Sequence, residues 1–194
     1  GSAHERDARG TGRQEVRGMR LSTDVQRGRE GGSMTLYLDT ETTGFSPAAG
    51  DAVVEIAIVN DFGRSVIDTL VNPRRSIPWQ ARNIHGISDD MVRGKPTLDQ
   101  LLPRILEIIA GEQIVIYNSA FDAPFFPDRL RQARMVSCAM TRFADALGGP
   151  WRKLDVAARH VGHRWTGDTH RALADALACR SVWLWLEGQG KRKR

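Results

Sequence analysis

The sequence predicts an α/β fold, in which helices flank a mixed β-sheet. Two consecutive apolar strands are separated by a short turn signal, which predicts an antiparallel hairpin. After this hairpin, helical and strand patterns alternate, as expected for a sheet covered by helices. The chain has 194 residues, of which 41% are hydrophobic, and we assign one globular domain to residues 34–190.

The first three strands are predicted from short apolar runs. They occupy residues 35–40 (TLYLDT), 52–61 (AVVEIAIVND) and 65–72 (SVIDTLVN). The sequence DFGR between the second and the third indicates a turn, so we expect these two strands to pair as the hairpin.

A helix is predicted next, at residues 97–110. Its apolar residues recur with helical spacing, and Thr97 is a good N-cap. The sequence QLLP at 100–103 superficially resembles a clamp-binding peptide, but it lies inside this pattern and we interpret it as helix. A short apolar strand follows at 113–118.

The remaining elements are one short strand and four helices. The strand is predicted at 135–139, and the helices at 122–134, 142–147, 153–162 and 170–187. Trp183 and Trp185 lie in the last helix, where we expect core packing or a dimer contact.

The two ends of the chain account for its basic charge. Residues 1–33 are rich in Gly, Arg, Ser and Glu, which predicts a segment that is disordered or was introduced by cloning. This segment carries a net charge of +2 and the basic tail at 191–194 carries +4, within a total of +5. The body therefore carries about −1, and the composition does not indicate a basic face on it.

The composition also bears on location. No apolar run approaches the roughly 18 residues of a membrane span, and the first residues lack the apolar segment of a signal peptide. Cys138 and Cys179 fit neither a metal motif nor a disulfide framework. We therefore expect a cytoplasmic protein with reduced thiols and no contact with a membrane.

Two acids, Asp39 and Glu41, end the first strand. Because residues two apart on a strand point to the same face, their carboxylates are expected to lie together. Like charges this close oppose joint ionisation unless a cation offsets them, and Mg²⁺ or Mn²⁺ prefers such oxygen ligands. The alternative is an exposed strand end with two solvated acids.

Three further residues are candidates for the same site. Asp122 follows the fourth strand, where an N-cap role is the alternative. His170 and Asp175 are five residues apart, about 140° around an ideal helix, so they cannot face one point from mid-helix. We expect His170 at the helix start or on the preceding loop, where it could also be an ordinary surface histidine, and Asp175 inside the helix.

Taken together, four motifs resemble those of the DEDDh exonucleases, the DnaQ-like group with a ribonuclease H-like fold. They are DTETTG, IHGI, YNSAFD and HRALADA, in this order, and the resemblance covers residues 35–187. The strings SCAMTRFA, KLDVAARHVG and HRALADA are most similar to exodeoxyribonuclease X-like members. The resemblance implies a five-stranded sheet with strands 1–3 antiparallel and the later strands parallel.

The resemblance also implies a chemistry. Asp39, Glu41, Asp122 and Asp175 would hold two Mg²⁺ or Mn²⁺ ions, and His170 would be the general base. The expected activity is 3′–5′ exonuclease hydrolysis of single-stranded DNA or frayed 3′ ends, which releases nucleoside 5′-monophosphates. DNA repair is the expected context.

Substrate contacts are implied for a second set of residues. They are Thr42, Gly44, Phe45, His85, Asn118 and Phe121. The alternatives are a core role for Phe45 and a capping or core role for His85. Many relatives have Leu where Phe45 stands and His where Tyr117 stands, and the Phe is shared with ribonuclease T.

Other functions on this fold are open alternatives. One is a 3′–5′ exoribonuclease of the ribonuclease T or oligoribonuclease type, one is an inactive nucleic-acid-binding module, and one is a small-nucleotide or defence nuclease. The expected partner is single-stranded nucleic acid, with DNA favoured over RNA. A homodimer is possible, and no contact with a polymerase or a sliding clamp is evident from the sequence.

Overall fold

A five-stranded β-sheet with helices packed on both faces forms the body of the protein. The computed structural model describes the backbone of residues 33–192 and the side chains to residue 189. Apart from Ser33, the predicted N-terminal segment falls outside the described residues, and so do the side chains of the basic tail.

The sheet is mixed, as predicted. Its strands are β1 (Thr35–Thr42), β2 (Val53–Val59), β3 (Ser65–Leu70), β4 (Gln113–Ile116) and β5 (Met135–Cys138), in the spatial order β3-β2-β1-β4-β5. β1 to β3 pair antiparallel, and β4 runs parallel to both β1 and β5. The hairpin of β2 and β3 is closed by Asn60, whose side-chain oxygen accepts hydrogen bonds from the backbone of Phe62 and Arg64.

Seven α-helices accompany these strands in the described residues. They are α1 (Trp79–His85), α2 (Asp89–Val92), α3 (Leu98–Ile109), α4 (Ser119–Asp122), α5 (Ala139–Leu147), α6 (Leu154–His160) and α7 (Ala172–Arg192). α1 and α2 were not predicted, because elements of one or two turns carry too little periodicity to recognise. α3 confirms its prediction: Thr97 and Gln100 form a reciprocal capping box, and QLLP lies within the helix.

The single helix predicted at 122–134 is wrong. The helix α4 ends at Asp122, and two short 3₁₀ turns, Ala123–Phe125 and Pro127–Leu130, replace the rest. Phe126 is extended, as expected before a proline, and proline cannot donate to a helical ladder.

Two apolar layers cover the two faces of the sheet. On one face, Leu36 and Leu38 of β1 pack with Leu101 and Ile105 of α3. On the other face, Tyr37 of β1 packs among residues of α5, α6 and α7. None of the described helices is long and apolar enough to cross a membrane.

The two tryptophans of α7 belong to the second layer. Trp183 is buried beneath the guanidinium of Arg142, 4.4 Å from the ring centroid. Trp185 packs against Phe143 and His160. The prediction of core packing is confirmed for both.

Candidate active site

Three acids meet where β1 ends beside the first turn of α7. Carboxylate oxygens of Asp39, Glu41 and Asp175 all lie within 4.8 Å of one another. Asp39 and Glu41 continue the row of Tyr37, which faces α7, because side chains alternate along a strand. The spacing of two residues therefore brings both acids to the helix that carries Asp175.

The start of α7 is held by Glu55, a residue that the sequence analysis did not select. Its carboxylate accepts hydrogen bonds from Arg171 Nε at 3.0–3.1 Å and from the backbone N–H of Ala172 at 3.0 Å. Glu55 is only 3% exposed and stands opposite Glu41 in the pairing of β1 with β2. The signal was an acid inside the apolar run VVEIAIV, because a buried carboxylate requires partners.

His170 lies on the loop before α7, as its spacing from Asp175 required. Its side chain is exposed, and its backbone adopts a left-handed conformation with φ 61°. Its charge and its backbone N–H both act to lower the pKa of Asp175, against the larger effect of burial. The imidazole is therefore carried on a loop that lies close to the acid cluster.

Asp122 is close to this cluster but is not part of it. Its Oδ1 accepts a hydrogen bond of 2.7 Å from the Thr40 hydroxyl, and it is absent from the three-acid group found among the described side chains. Asp122 is the last residue of the one-turn helix α4, not the first residue of a long helix. Its charge still contributes to raising the pKa of Asp39.

Burial and mutual repulsion raise the pKa of Asp39, Glu41, Asp122 and Asp175. Burial is the largest cause in each case, and neighbouring carboxylates add to it. The pKa of Glu41 rises to about 9, that of Asp122 to about 7 and that of Asp175 to about 6, whereas that of Asp39 is raised well above its ordinary value. A cation would offset this repulsion, and clustered carboxylate oxygens are the donors that hard divalent cations prefer. The residues present therefore fit a divalent metal.

The loop after β1 presents an aromatic ring to solvent. Phe45 is 82% exposed, so it is not a core residue, and its ring stands edge-on to Phe121 with centroids 6.2 Å apart. The Thr42 hydroxyl donates to the carbonyl of Gly44 at 2.7 Å, which tightens the turn before Phe45.

Asp51 organises this loop, and it too was missed. Its carboxylate accepts hydrogen bonds from the Thr43 hydroxyl at 3.1 Å and from the Ser46 backbone at 3.0 Å. A Cβ on Gly44 would lie 2.4 Å from the same carboxylate, so a side chain at this position would collide with it. The loop therefore requires both Gly44 and Asp51 in order to place Phe45.

The other predicted substrate residues lie around this loop. His85 is buried at the end of α1, where its Nδ1 accepts a hydrogen bond of 3.0 Å from the backbone of Ile87. Burial lowers the pKa of His85, and its Nε2 has no hydrogen-bond partner among the described residues. Asn118 is the N-cap residue of α4, and the ring of Phe121 packs on Phe125.

Comparison with known proteins decides the family. The family model RNase T, described as Exonuclease, matches residues 36–182, which is more than half of the chain. This chain belongs to that exonuclease family. The exonuclease is 33% identical over 159 residues to the uncharacterized exonuclease CP81 of Escherichia phage 186, and the match covers 72% of this chain and 81% of the phage protein.

Two further relatives agree. The exonuclease is 27% identical over 168 residues to DNA polymerase III subunit epsilon of Rickettsia felis, with 79% of this chain and 73% of the relative covered. Among solved structures, Exonuclease X in complex with 5′ overhanging duplex DNA superposes with a TM-score of 0.64 at 27% identity. That match covers 81% of this chain and 93% of the other. The predicted DnaQ-like, ribonuclease H-like fold is confirmed, and the protein is a phosphodiester hydrolase of the DEDD 3′–5′ exonuclease type.

Proposed function

We propose that this exonuclease degrades single-stranded DNA or frayed 3′ ends of DNA and releases nucleoside 5′-monophosphates. The observation that carries the proposal is the acid cluster of Asp39, Glu41 and Asp175, with His170 on the adjoining loop. The cluster lies at the end of β1, where the exposed Phe45 loop begins, so acids and substrate-facing residues share one edge of the sheet.

The acids would hold two Mg²⁺ or Mn²⁺ ions. Asp39, Glu41 and Asp175 are the primary ligands, and Asp122 is the fourth, once its carboxylate turns from Thr40. Bound divalent metal supplies Lewis-acid stabilisation of the charge that develops on the phosphate.

His170 is the general base in this proposal. Its exposed imidazole can approach the attacking water and accept its proton, a role that histidine fills more often than any other side chain. The His170 loop lies close enough to Asp175 to lower the pKa of that carboxyl, so the base is carried beside the acid cluster.

The terminal nucleotide is assigned to the Phe45 loop and its neighbours. Phe45 offers a ring face for base stacking, which tolerates any base. The loop of Thr42 and Gly44 brings backbone groups to the sugar end. Asn118 and Phe121 border the same edge from the side of α4, and buried His85 lies near the Thr42 backbone.

The preference for DNA rests on the likeness to Exonuclease X, which was solved with duplex DNA carrying a 5′ overhang. Matched DNA and RNA 20-mers, each with a free or a phosphorylated 3′ end, test this preference. Faster degradation of DNA with a free 3′ hydroxyl supports the proposal. Equal or faster degradation of RNA would replace it by the exoribonuclease alternative.

The catalytic assignment is tested with a 5′-labelled DNA 20-mer in Mg²⁺ or Mn²⁺. The wild type should yield a ladder of shortened products, and Asp39→Asn should yield none. Asp99→Asn, which removes an exposed acid in the first turn of α3, is the matched control. Equal ladders from the wild type and Asp39→Asn would refute the assignment, and binding without turnover by the wild type would favour an inactive binding module.

A further inference from the structure

Arginines are concentrated on the surface that follows β3. Residues 72–95 contain five Arg or Lys and two Asp, on a body whose composition predicts no basic face. Arg74, Arg75 and Arg93 are all exposed, and they line one surface cavity of about 270 Å³. Asn72, Ser76, Asp89 and Val92 complete its wall.

The acids near this cavity do not neutralise it. The wall carries three Arg against one Asp, and the Asp89 carboxylate also accepts hydrogen bonds from the Ile77 backbone at 2.8 Å and from the Ser76 hydroxyl at 3.3 Å. Arg93 pairs with Asp90 at 2.6 Å, but their side chains are 79% and 83% exposed. Ion pairs this exposed contribute little, so a phosphate can compete for the guanidinium of Arg93.

The cavity is linked to the Phe45 loop through Arg75. Its guanidinium donates to the carbonyl of Gly50 and lies 3.6 Å from the Asp51 carboxylate. Asp51 in turn holds Thr43 and Ser46, which flank Phe45. A strand whose terminal base stacks on Phe45 therefore has this basic cavity beside the loop that receives it.

We propose that the cavity lined by Arg74, Arg75 and Arg93 binds a backbone phosphate of the nucleic-acid strand, upstream of its 3′ end. Guanidinium groups match phosphate oxygens in geometry as well as in charge, and the Asn72 amide adds a neutral donor. The inference rests on the proposed function for its substrate, and it adds a binding site remote from the acid cluster. It explains how a body of negative net charge holds a polyanion away from the metal-binding acids.

The test uses the double variant Arg74→Gln/Arg93→Gln and leaves Arg75 intact, because Arg75 also supports the loop. Fluorescence anisotropy measures binding of a 5′-labelled DNA 20-mer in EDTA over a range of salt concentrations. Each lost phosphate contact should reduce the slope of log K against log salt by about 0.7 for single strands. The single variant Arg93→Gln should show a smaller change in the same direction.

The matched control is Arg131→Gln/Arg159→Gln. Arg159 is also 79% exposed and also pairs with an acid on its own helix, Asp155, at 3.9 Å. In Mg²⁺, the test variant should raise KM for the 20-mer about tenfold while leaving KM for a dinucleotide and kcat for both substrates unchanged. The control should match the wild type.

Two results would overturn the proposal: equal salt slopes for the test and control variants, or an equal loss on the 20-mer and the dinucleotide. Binding in EDTA needs no turnover, so a changed slope in a protein without nuclease activity would support the phosphate site and refute the proposed function. A wild type that neither binds nor cleaves the strand would refute both.

Discussion

Glu55 stands directly opposite Glu41 across β1 and β2, yet the two carboxylates have different partners. Glu55 is bonded to Arg171 and to the first backbone N–H of α7, whereas Glu41 meets Asp175. A strand of the sheet therefore determines where α7 begins. Because Asp175 lies in the first turn of that helix, this anchor also determines how the third acid approaches β1.

We expect Glu55→Gln to reduce both stability and turnover. The substitution keeps the shape but removes the charge that Arg171 and the helix start require, and charge-assisted hydrogen bonds contribute about 2 kcal/mol. Denaturant unfolding should show a decrease of about this size in the free energy of unfolding. We also expect kcat to fall more than KM rises, because a displaced α7 would move Asp175 and His170 away from the acids of β1. Asp99→Asn, which removes an exposed acid on α3, is the control. Unchanged kcat in a folded Glu55→Gln protein would contradict this role.

Stability of the metal-free protein should fall as pH rises. The pKa of Asp175 is raised to about 6 and that of Glu41 to about 9, so the native state binds more protons than the unfolded chain. This stabilisation is fully present below pH about 4, the pKa of these acids in the unfolded chain, and it is lost as the pH rises through their pKa values in the folded protein. The melting temperature in EDTA should therefore decrease between about pH 5 and about pH 9.

Added Mn²⁺ should reverse this trend, because cation binding to the native state replaces the protons. The increase in melting temperature should be greater at about pH 8 than at about pH 6, where protons compete for the same oxygens. Asp39→Asn/Glu41→Gln is the reference, since it should show a flatter pH profile and a smaller response to Mn²⁺. Identical responses in this variant and the wild type would show that the metal binds elsewhere.

Gly44→Ala should weaken substrate binding without unfolding the protein. The added Cβ would lie 2.4 Å from the Asp51 carboxylate, and the loop must move to relieve this contact. We expect KM to rise several-fold with a smaller change in kcat. The effect of Asp51→Ala on KM should add to the effects of most other variants but not to that of Gly44→Ala, because the added Cβ collides with the Asp51 carboxylate, which Asp51→Ala removes. Gly149→Ala is the control, since its Cβ would meet only the end of Arg152 at 3.6 Å.

Phe45→Ala should raise KM for every base at the 3′ end. Stacking of a base on an aromatic side chain contributes about 1–3 kcal/mol, so the increase should be about tenfold or more. Phe45→Trp should retain the wild-type KM, and Phe62→Ala, which removes another ring that is 77% exposed, should have no effect. A KM for Phe45→Ala equal to that of Phe62→Ala would exclude stacking on this ring.

Local pattern was sufficient for much of the site. The period of two along β1 places Asp39 and Glu41 on one face, and the spacing of His170 and Asp175 requires one of them to lie outside the helix. The same local pattern gave a wrong prediction, a helix, for the segment after Asp122, where two prolines interrupt a composition typical of helices. That interruption leaves Asp122 at the end of a single turn, bonded to Thr40 and outside the acid cluster.

The sequence by itself determined the strands, the mixed sheet and the candidate acids and histidine of the site, because these depend on periodicity and order along the chain. Only the tertiary structure decided that Glu55 anchors Arg171, 116 residues away, that Asp51 shapes the Phe45 loop, and that Arg74 and Arg93 share a cavity. The physical reason is that burial, hydrogen-bond partners and local charge are properties of neighbours in space. No short stretch of sequence specifies which distant residue will supply them.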